Sequence, residues 1–116
     1  MSAIKRYTVS YDDRFDMVVE IDHDILTDAK LHEINDFWSD AEDRVRDERG
    51  NITKVVLKLL AARAFVLTLT SFDAIKAFSG KNGQEGWPAM DGSEGIKIVR
   101  IDEVVFEASD LDVTEG

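Results

Sequence analysis

The chain contains no cysteine, which removes a disulfide framework, a thiolate nucleophile and any Cys-based zinc or iron–sulfur site, and nothing in it requires an oxidising compartment. It has only two histidines. Its N-terminal Met1-Ser2-Ala3-Ile4-Lys5-Arg6-Tyr7 lacks the apolar run of a signal peptide, and no segment approaches the ~18 consecutive apolar residues of a membrane span. Positive charge is scarce, with 14 Lys and Arg against 24 Asp and Glu and a net charge of -10. That balance opposes nonspecific binding to nucleic-acid phosphates and docking on anionic lipid. The expected setting is the cytoplasm. No internal repeat and no low-complexity tract is present. What is there is an ordinary globular composition: 44% of the 116 residues are hydrophobic, and at this length roughly two thirds of the extended surface can be buried, enough for one core. The expected organisation is a single domain over residues 1–108 with an acidic, frayed tail over 109–116.

The first 22 residues read as a β-hairpin. Tyr7, Val9 and Tyr11 alternate with polar residues, and Phe15, Met17, Val19 and Ile21 do the same after the acidic turn Asp12-Asp13-Arg14, so the two sets share one buried face. After Asp22-His23-Asp24 the period lengthens to that of a helix, with Leu31, Ile34, Trp38, Ala41 and Val45 on one stripe and Phe37 at its margin. Thr27 is the expected N-cap, Arg46 and Arg49 complement the carbonyl end, and Gly50 is the expected stop. Asn51 then caps a second helix whose Ile52, Val55, Val56, Leu59, Leu60 and Val66 point inward while Lys54 and Lys58 stay exposed. Residues 64–70 alternate like a strand at Phe65, Leu67 and Leu69 but are assigned to the continuing helix. Thr70 and Asp73 suggest a cap for a short third helix containing Phe72, Ile75 and Phe78 and ended by Gly80. Five of the seven glycines lie in 80–95, which must be a loop, long for a small domain. A closing strand carries Ile96, Ile98, Val104 and Phe106, bent near Asp102-Glu103. The order β-β-α-α-(α)-β predicts an α+β two-layer sandwich, an antiparallel sheet of three or four strands covered on one face by two or three helices.

Charge is unevenly spread, at -7 over residues 1–50, +3 over 51–79 and -6 over 80–116. On an uninterrupted first helix, Asp36, Asp40, Asp43 and Asp47 fall in a narrow arc, with neighbours about 5 to 6 Å apart by the helical rise. Phosphates along a nucleic-acid strand lie at a similar interval, roughly 6 to 7 Å. Asp40 with Arg44, Glu42 with Arg46 and Arg44 with Glu48 would offset the repulsion within the row. Two readings stand: an edge that mimics phosphates toward a basic partner, and a solvated helix face. Asp22-His23-Asp24 with His32 collects ligand-type side chains in no recognised metal spacing. Both the Gly-x-Gly-x-x-Gly fingerprint and the phosphate-loop ending are missing. No catalytic, cofactor-binding or metal-ligating residue is assigned.

The most specific local text is the loop Gly83-Gln84-Glu85-Gly86-Trp87-Pro88-Ala89-Met90-Asp91-Gly92-Ser93-Glu94-Gly95-Ile96. Trp87 before Pro88 is driven to an extended conformation and Asp91-Gly92 is a turn pair. Either Trp87 folds back to cap the core, or Trp87, Met90, Asp91 and Ser93 present an aromatic anchor ringed by polar groups to a partner. The run from Glu85 to Ile96, together with Asn35-Asp36-Phe37-Trp38-Ser39-Asp40-Ala41-Glu42, resembles a family of small proteins of unknown function found in bacterial phages, prophages and other mobile elements. The resemblance implies a bacterial cytoplasmic setting and a mobile-element gene. It carries no catalytic residue, and leaves the matched Trp38, Asp40, Trp87, Asp91 and Ser93 as candidates for whatever the family shares.

Three functional expectations follow. The first is a non-enzymatic acidic protein, an inhibitor or counter-defence factor, that engages a basic nucleic-acid-binding protein through the carboxylate row and binds neither nucleic acid nor membrane itself. The second is a homo-oligomeric accessory protein in which the basic middle segment of one copy meets an acidic flank of another. The third is an enzyme with a carboxylate-rich loop site holding Mg²⁺ or Ca²⁺.

Overall fold

A computed structural model describes residues 3–70, 73–78 and 84–116. Two strands, β1 (Ile4–Tyr11) and β2 (Phe15–Asp22), form the expected hairpin. Asp12 and Asp13 both hold positive φ, 53° and 56°, and Arg14 N–H closes the turn on Tyr11 O at 3.0 Å. Positive φ at both central positions matches the right-handed twist of the strands, and Asp is among the few side chains that tolerate it. Tyr7 faces Val19, Val9 faces Met17 and Tyr11 faces Phe15, so the alternating sets do share a face.

The closing strand β3 (Ile96–Ile101) pairs antiparallel with β2 and completes a sheet of order β1-β2-β3. The register shifts where Val18 faces Arg100 and Val19 faces Ile98, which leaves Val99 as an extra residue. That bulge turns Ile101 back onto the core side with Ile96 and Ile98. Val104 and Phe106 were expected in this strand but lie beyond its end. The pairing stops because Asp102 clamps Asp16 from both sides, its N–H donating to Asp16 O and its Oδ2 accepting from Asp16 N–H, each at 2.9 Å. Phe106 is left exposed.

The helical layer covers one face. Met17, Val19, Ile21, Ile96 and Ile98 of the sheet join Leu31, Val55, Val56, Leu60 and Ala64 of the helices in one buried cluster, the α+β sandwich of the sequence pattern. Burial of an aliphatic side chain such as Leu60 stabilises the fold by about 1.5–3 kcal/mol. The largest contributor is α3 (Ile52–Thr70), capped by Asn51, whose Oδ1 accepts Lys54 N–H at 3.1 Å. Residues 64–70 belong to it. Val66, expected inward, is exposed, and Leu59 is half-buried, while Leu57, Ala61, Ala64 and Leu67 are buried. The short α4 (Ala74–Ala77) is capped by Asp73 itself, which accepts Lys76 N–H at 3.1 Å. Thr70 is the last residue of α3 and not that cap. Phe72, Gly80 and Gly83 lie outside the described residues.

The expected first helix is divided. Thr27 caps α1 (Asp28–Asp36), the chain turns through residues 37–40, and α2 (Ala41–Asp47) follows. The cause is a polar pair. Asn35, at 0% exposure, donates through Nδ2 to Ala41 O at 3.1 Å. Arg44 donates through Nε to Asn35 Oδ1 at 2.8 Å and through Nη2 to the carbonyls of Asn35 and Trp38 at 3.1 and 3.2 Å, with Nη1 on Ser39 O. One guanidinium fork thus gathers the carbonyls of Asn35, Trp38 and Ser39 where α1 ends, that of Asn35 also accepting Trp38 N–H at 3.1 Å. Asp40 makes the corner at φ 65°. At the far end of α2, Gly50 N–H bonds Val45 O at 2.8 Å and Arg49 N–H bonds Arg46 O at 3.0 Å, the Schellman pattern. The first left-handed residue after the cap is therefore Arg49, φ 56°, and the expected Gly50 follows it, also left-handed at φ 83°.

Candidate binding groove

The break in the helix decides what becomes of the carboxylates. Asp36 ends α1, Asp40 sits in the corner without a side-chain capping bond, and only Asp43 and Asp47 share α2. The four do not form a single helical row. Arg46 holds Asp43 at 3.0 Å and approaches Asp47 at 3.9 Å. Arg44, expected to offset Asp40 and Glu48, is turned onto backbone carbonyls, and Glu48 instead binds Lys58 at 2.6 Å. Asp36 and Asp40 have no ion pair among the described residues.

The glycine-rich loop folds back onto this corner. Trp87 is half-buried, its ring 6.2 Å from Trp38 and 6.4 Å from Phe78, and Trp38 in turn meets Phe37 edge-on at 4.8 Å. Trp87 thus caps the core edge, the first of its two expected roles, while keeping part of its surface. Gly86 holds the loop close: at φ 84°, a Cβ there would lie 2.6 Å from Phe37 Cδ1 and 2.8 Å from the Trp38 ring. Trp38 Nε1 is buried without a hydrogen-bond partner among the described residues.

The remaining loop candidates separate. Met90, read from sequence as part of an exposed anchor, is 1% exposed and belongs to the core; its backbone lies against β3, with Ile98 N–H bonding Met90 O at 3.4 Å. Asp91 bridges to Lys97 and uses Oδ1 for its own loop, accepting Ser93 Oγ–H at 2.6 Å and Ser93 N–H at 2.9 Å. The Ser93 hydroxyl first, then its backbone N–H, hold the Asp91 carboxyl below its ordinary value. These two shape the Asp91–Gly95 turn.

Between α1 and the loop lies a groove of about 470 Å³, whose lining combines apolar Leu26, Ile34, Phe37, Trp87 and Pro88 with charged Lys30, Glu33 and Glu94. Phe37 is 53% exposed there, beside Asp36 and Glu33. Of the candidates read from sequence, Trp87 lines this groove, and Asp36 adjoins it through its neighbour Phe37; Asp40, Asp43, Asp47, Met90, Asp91 and Ser93 are not among its lining residues. The sequence signal for the rest was Phe37 at the margin of the apolar stripe, next to Trp38. Among the described residues, no group of three or more His, Asp or Glu is placed to hold a metal ion, and no helix is long and apolar enough to cross a membrane.

Fold and groove define a small acidic α+β protein with an aromatic corner. The chain belongs to a family of proteins of unknown function, DUF2528, which matches residues 16–113. It is 42% identical over 120 residues to the lambda prophage-derived protein ea10 of Escherichia coli O6:H1 (strain CFT073), covering 97% of this chain and 98% of that protein. Protein ea10 of Escherichia phage lambda matches to the same extent. No solved structure matches.

Proposed function

We propose that the chain is a non-enzymatic binding protein of a phage or related mobile element. It works in the bacterial cytoplasm and engages a basic protein by setting an apolar side chain of that partner into the α1–loop groove. The observation that carries this reading is Phe37, a large aromatic left half in solvent beside Trp87 and Pro88, in a groove whose charged lining is Glu33 and Glu94 against a single Lys30. Exposed aromatics inside a charged rim are the usual composition of an interface centre. A partner that ordinarily grips nucleic acid supplies the cations, so occupancy by this protein competes with that ligand, as an inhibitor or counter-defence factor would. Carboxylates then speed the encounter and the aromatic floor holds the complex.

The test is affinity capture from host lysate at low and moderate salt, with each recovered partner re-purified and titrated against defined variants. Phe37→Asp is expected to weaken binding at least tenfold, and Asp36→Asn with Asp40→Asn to slow association and flatten its salt dependence. Asp43→Asn with Asp47→Asn should matter less, because Arg46 already engages that pair. Recovery of no basic partner, or binding that survives both Phe37→Asp and all four Asp→Asn changes, rejects the reading.

A further inference from the structure

Among the described residues the sheet has one long unpaired edge, and its geometry points to a second copy of the chain. Asp16 exchanges backbone and carboxylate bonds with Asp102, and Asp22 N–H donates to Gly95 O at 2.8 Å, so the even-numbered residues of β2 direct their backbone groups toward β3 and the loop before it. His23 N–H donates the other way, to Ala3 O at 3.1 Å. Backbone groups alternate sides in an antiparallel ladder. The odd-numbered residues of β2 therefore bond β1 through their partners Lys5, Tyr7, Val9 and Tyr11. It follows that Ile4, Arg6, Thr8 and Ser10 aim their N–H and C=O groups away from the sheet.

An edge of this kind is ordinarily blunted by proline, a bulge, brevity, charged side chains or a covering element, and the charges within β1, Lys5 and Arg6, stand at one end of it. Here the strand is eight residues long without proline, and its register against β2 is unbroken. The helices do not close it either. A cleft of about 300 Å³ runs beside the strand, between Thr8, Val9 and Ser10 on one side and Lys54, Leu57 and Lys58 of α3 on the other.

We propose that β1 pairs antiparallel with β1 of a second copy about a twofold axis through Thr8, joining two three-stranded sheets into one of six strands. Two features of the strand select this occupant. Keeping both helical layers on the same side requires facing residues to share a face, and a centre at Thr8 meets that condition: Tyr7 faces Val9 of the second copy on the helix side, and Arg6 faces its Ser10 on the open side. Charge also complements itself in this sense. Lys5 and Arg6 lie at one end of β1, with Arg6 reaching Glu20 at 3.2 Å; Asp12 and Asp13 follow its other end, where the adjoining Arg14 is held by Asp110, and Ser10 is bonded to Asp16 at 2.7 Å. Antiparallel pairing sets the basic end of each copy against the acidic end of the other, whereas parallel pairing would set like charge on like. The surface involved is separate from the α1–loop groove, so the inference stands independently of the proposed function.

Thr8 is exposed and faces its own equivalent, which makes the test specific. Light scattering on the purified chain at submillimolar concentration and physiological salt is expected to give twice the 13.1 kDa chain mass. Thr8→Lys and Thr8→Glu should each return the monomer mass with an unchanged circular dichroism spectrum, because either substitution places like charges opposite one another on the axis. Mixing the two variants should restore the dimer. A wild-type monomer at that concentration overturns the proposal and leaves the edge to a strand from another protein. A dimer that persists in both single variants overturns it as well, and assigns association to another surface.

Discussion

At the scale of single residues, the decisive group is Asn35. It reads in the sequence as one more polar position on an amphipathic helix, yet it is fully buried and bonded to Ala41 O and Arg44. Leaving buried polar partners unsatisfied costs about 1–3 kcal/mol, more when one is charged. Asn35→Ala should therefore destabilise the fold by about 2 kcal/mol in urea unfolding, and Arg44→Ala by a comparable amount, since it frees the carbonyls of Asn35, Trp38 and Ser39. The double variant should lose well short of the sum, with a coupling of at least about 1 kcal/mol, as befits residues in one network. Additive losses would mean that the pair does not act as the joint between α1 and α2. A surface arginine replaced by alanine ordinarily costs no more than about 0.5 kcal/mol, so the single variant already separates the two accounts.

At the scale of elements, legibility followed how many residues report the same periodicity. The hairpin and α3 were readable because seven alternating side chains and a long apolar arc with an Asn51 cap leave few alternatives. The division of the first helix was not, because Phe37, Trp38, Ser39 and Asp40 are all compatible with helix, and what breaks it is a contact between Asn35 and a residue nine positions on. The carboxylate row rested on that unbroken helix and fell with it. Likewise the end of β3 depends on Asp102 meeting Asp16 across the sheet, a long-range bond that no local pattern announces, and Met90 is buried because its loop pairs against β3. Trp87 was readable as a core cap; the groove beside it needed the fold. The helix stop teaches a similar lesson, since the first left-handed position after α2 belongs to Arg49 (φ 56°) and Gly50 (φ 83°) takes only the second. A non-glycine residue in that region is strained by roughly 1–2 kcal/mol, partly offset by the greater unfolded-state freedom of glycine. Arg49→Gly is therefore expected to stabilise the protein by about 0.5–1 kcal/mol by thermal or urea unfolding, and a loss of stability would show that the Arg49 side chain contributes more than its backbone costs.

At the scale of the whole molecule, the net charge of -10 acts on folding and on association in opposite directions. Self-repulsion among excess carboxylates destabilises the compact state, and raising salt from about 0.01 M to about 0.1 M shortens the screening length from about 30 Å to about 10 Å. The same salt weakens the exposed ion pairs Arg6–Glu20, Arg46–Asp43 and Arg100–Asp102, but exposed pairs contribute only about 0–1 kcal/mol each. A surplus of ten negative charges on 116 residues should outweigh them. The melting temperature is accordingly expected to rise by several degrees over that range, the equivalent of about 1 kcal/mol for a domain of this size. Scanning calorimetry at matched pH would read it, and a melting temperature that falls with salt would mean that attractive pairs dominate. A complex with a basic partner should show the reverse trend, its association slowing as salt rises. Binding that weakens over a salt range in which the fold itself grows more stable therefore cannot be ascribed to unfolding, and it isolates the carboxylates around the groove as the charged element of recognition.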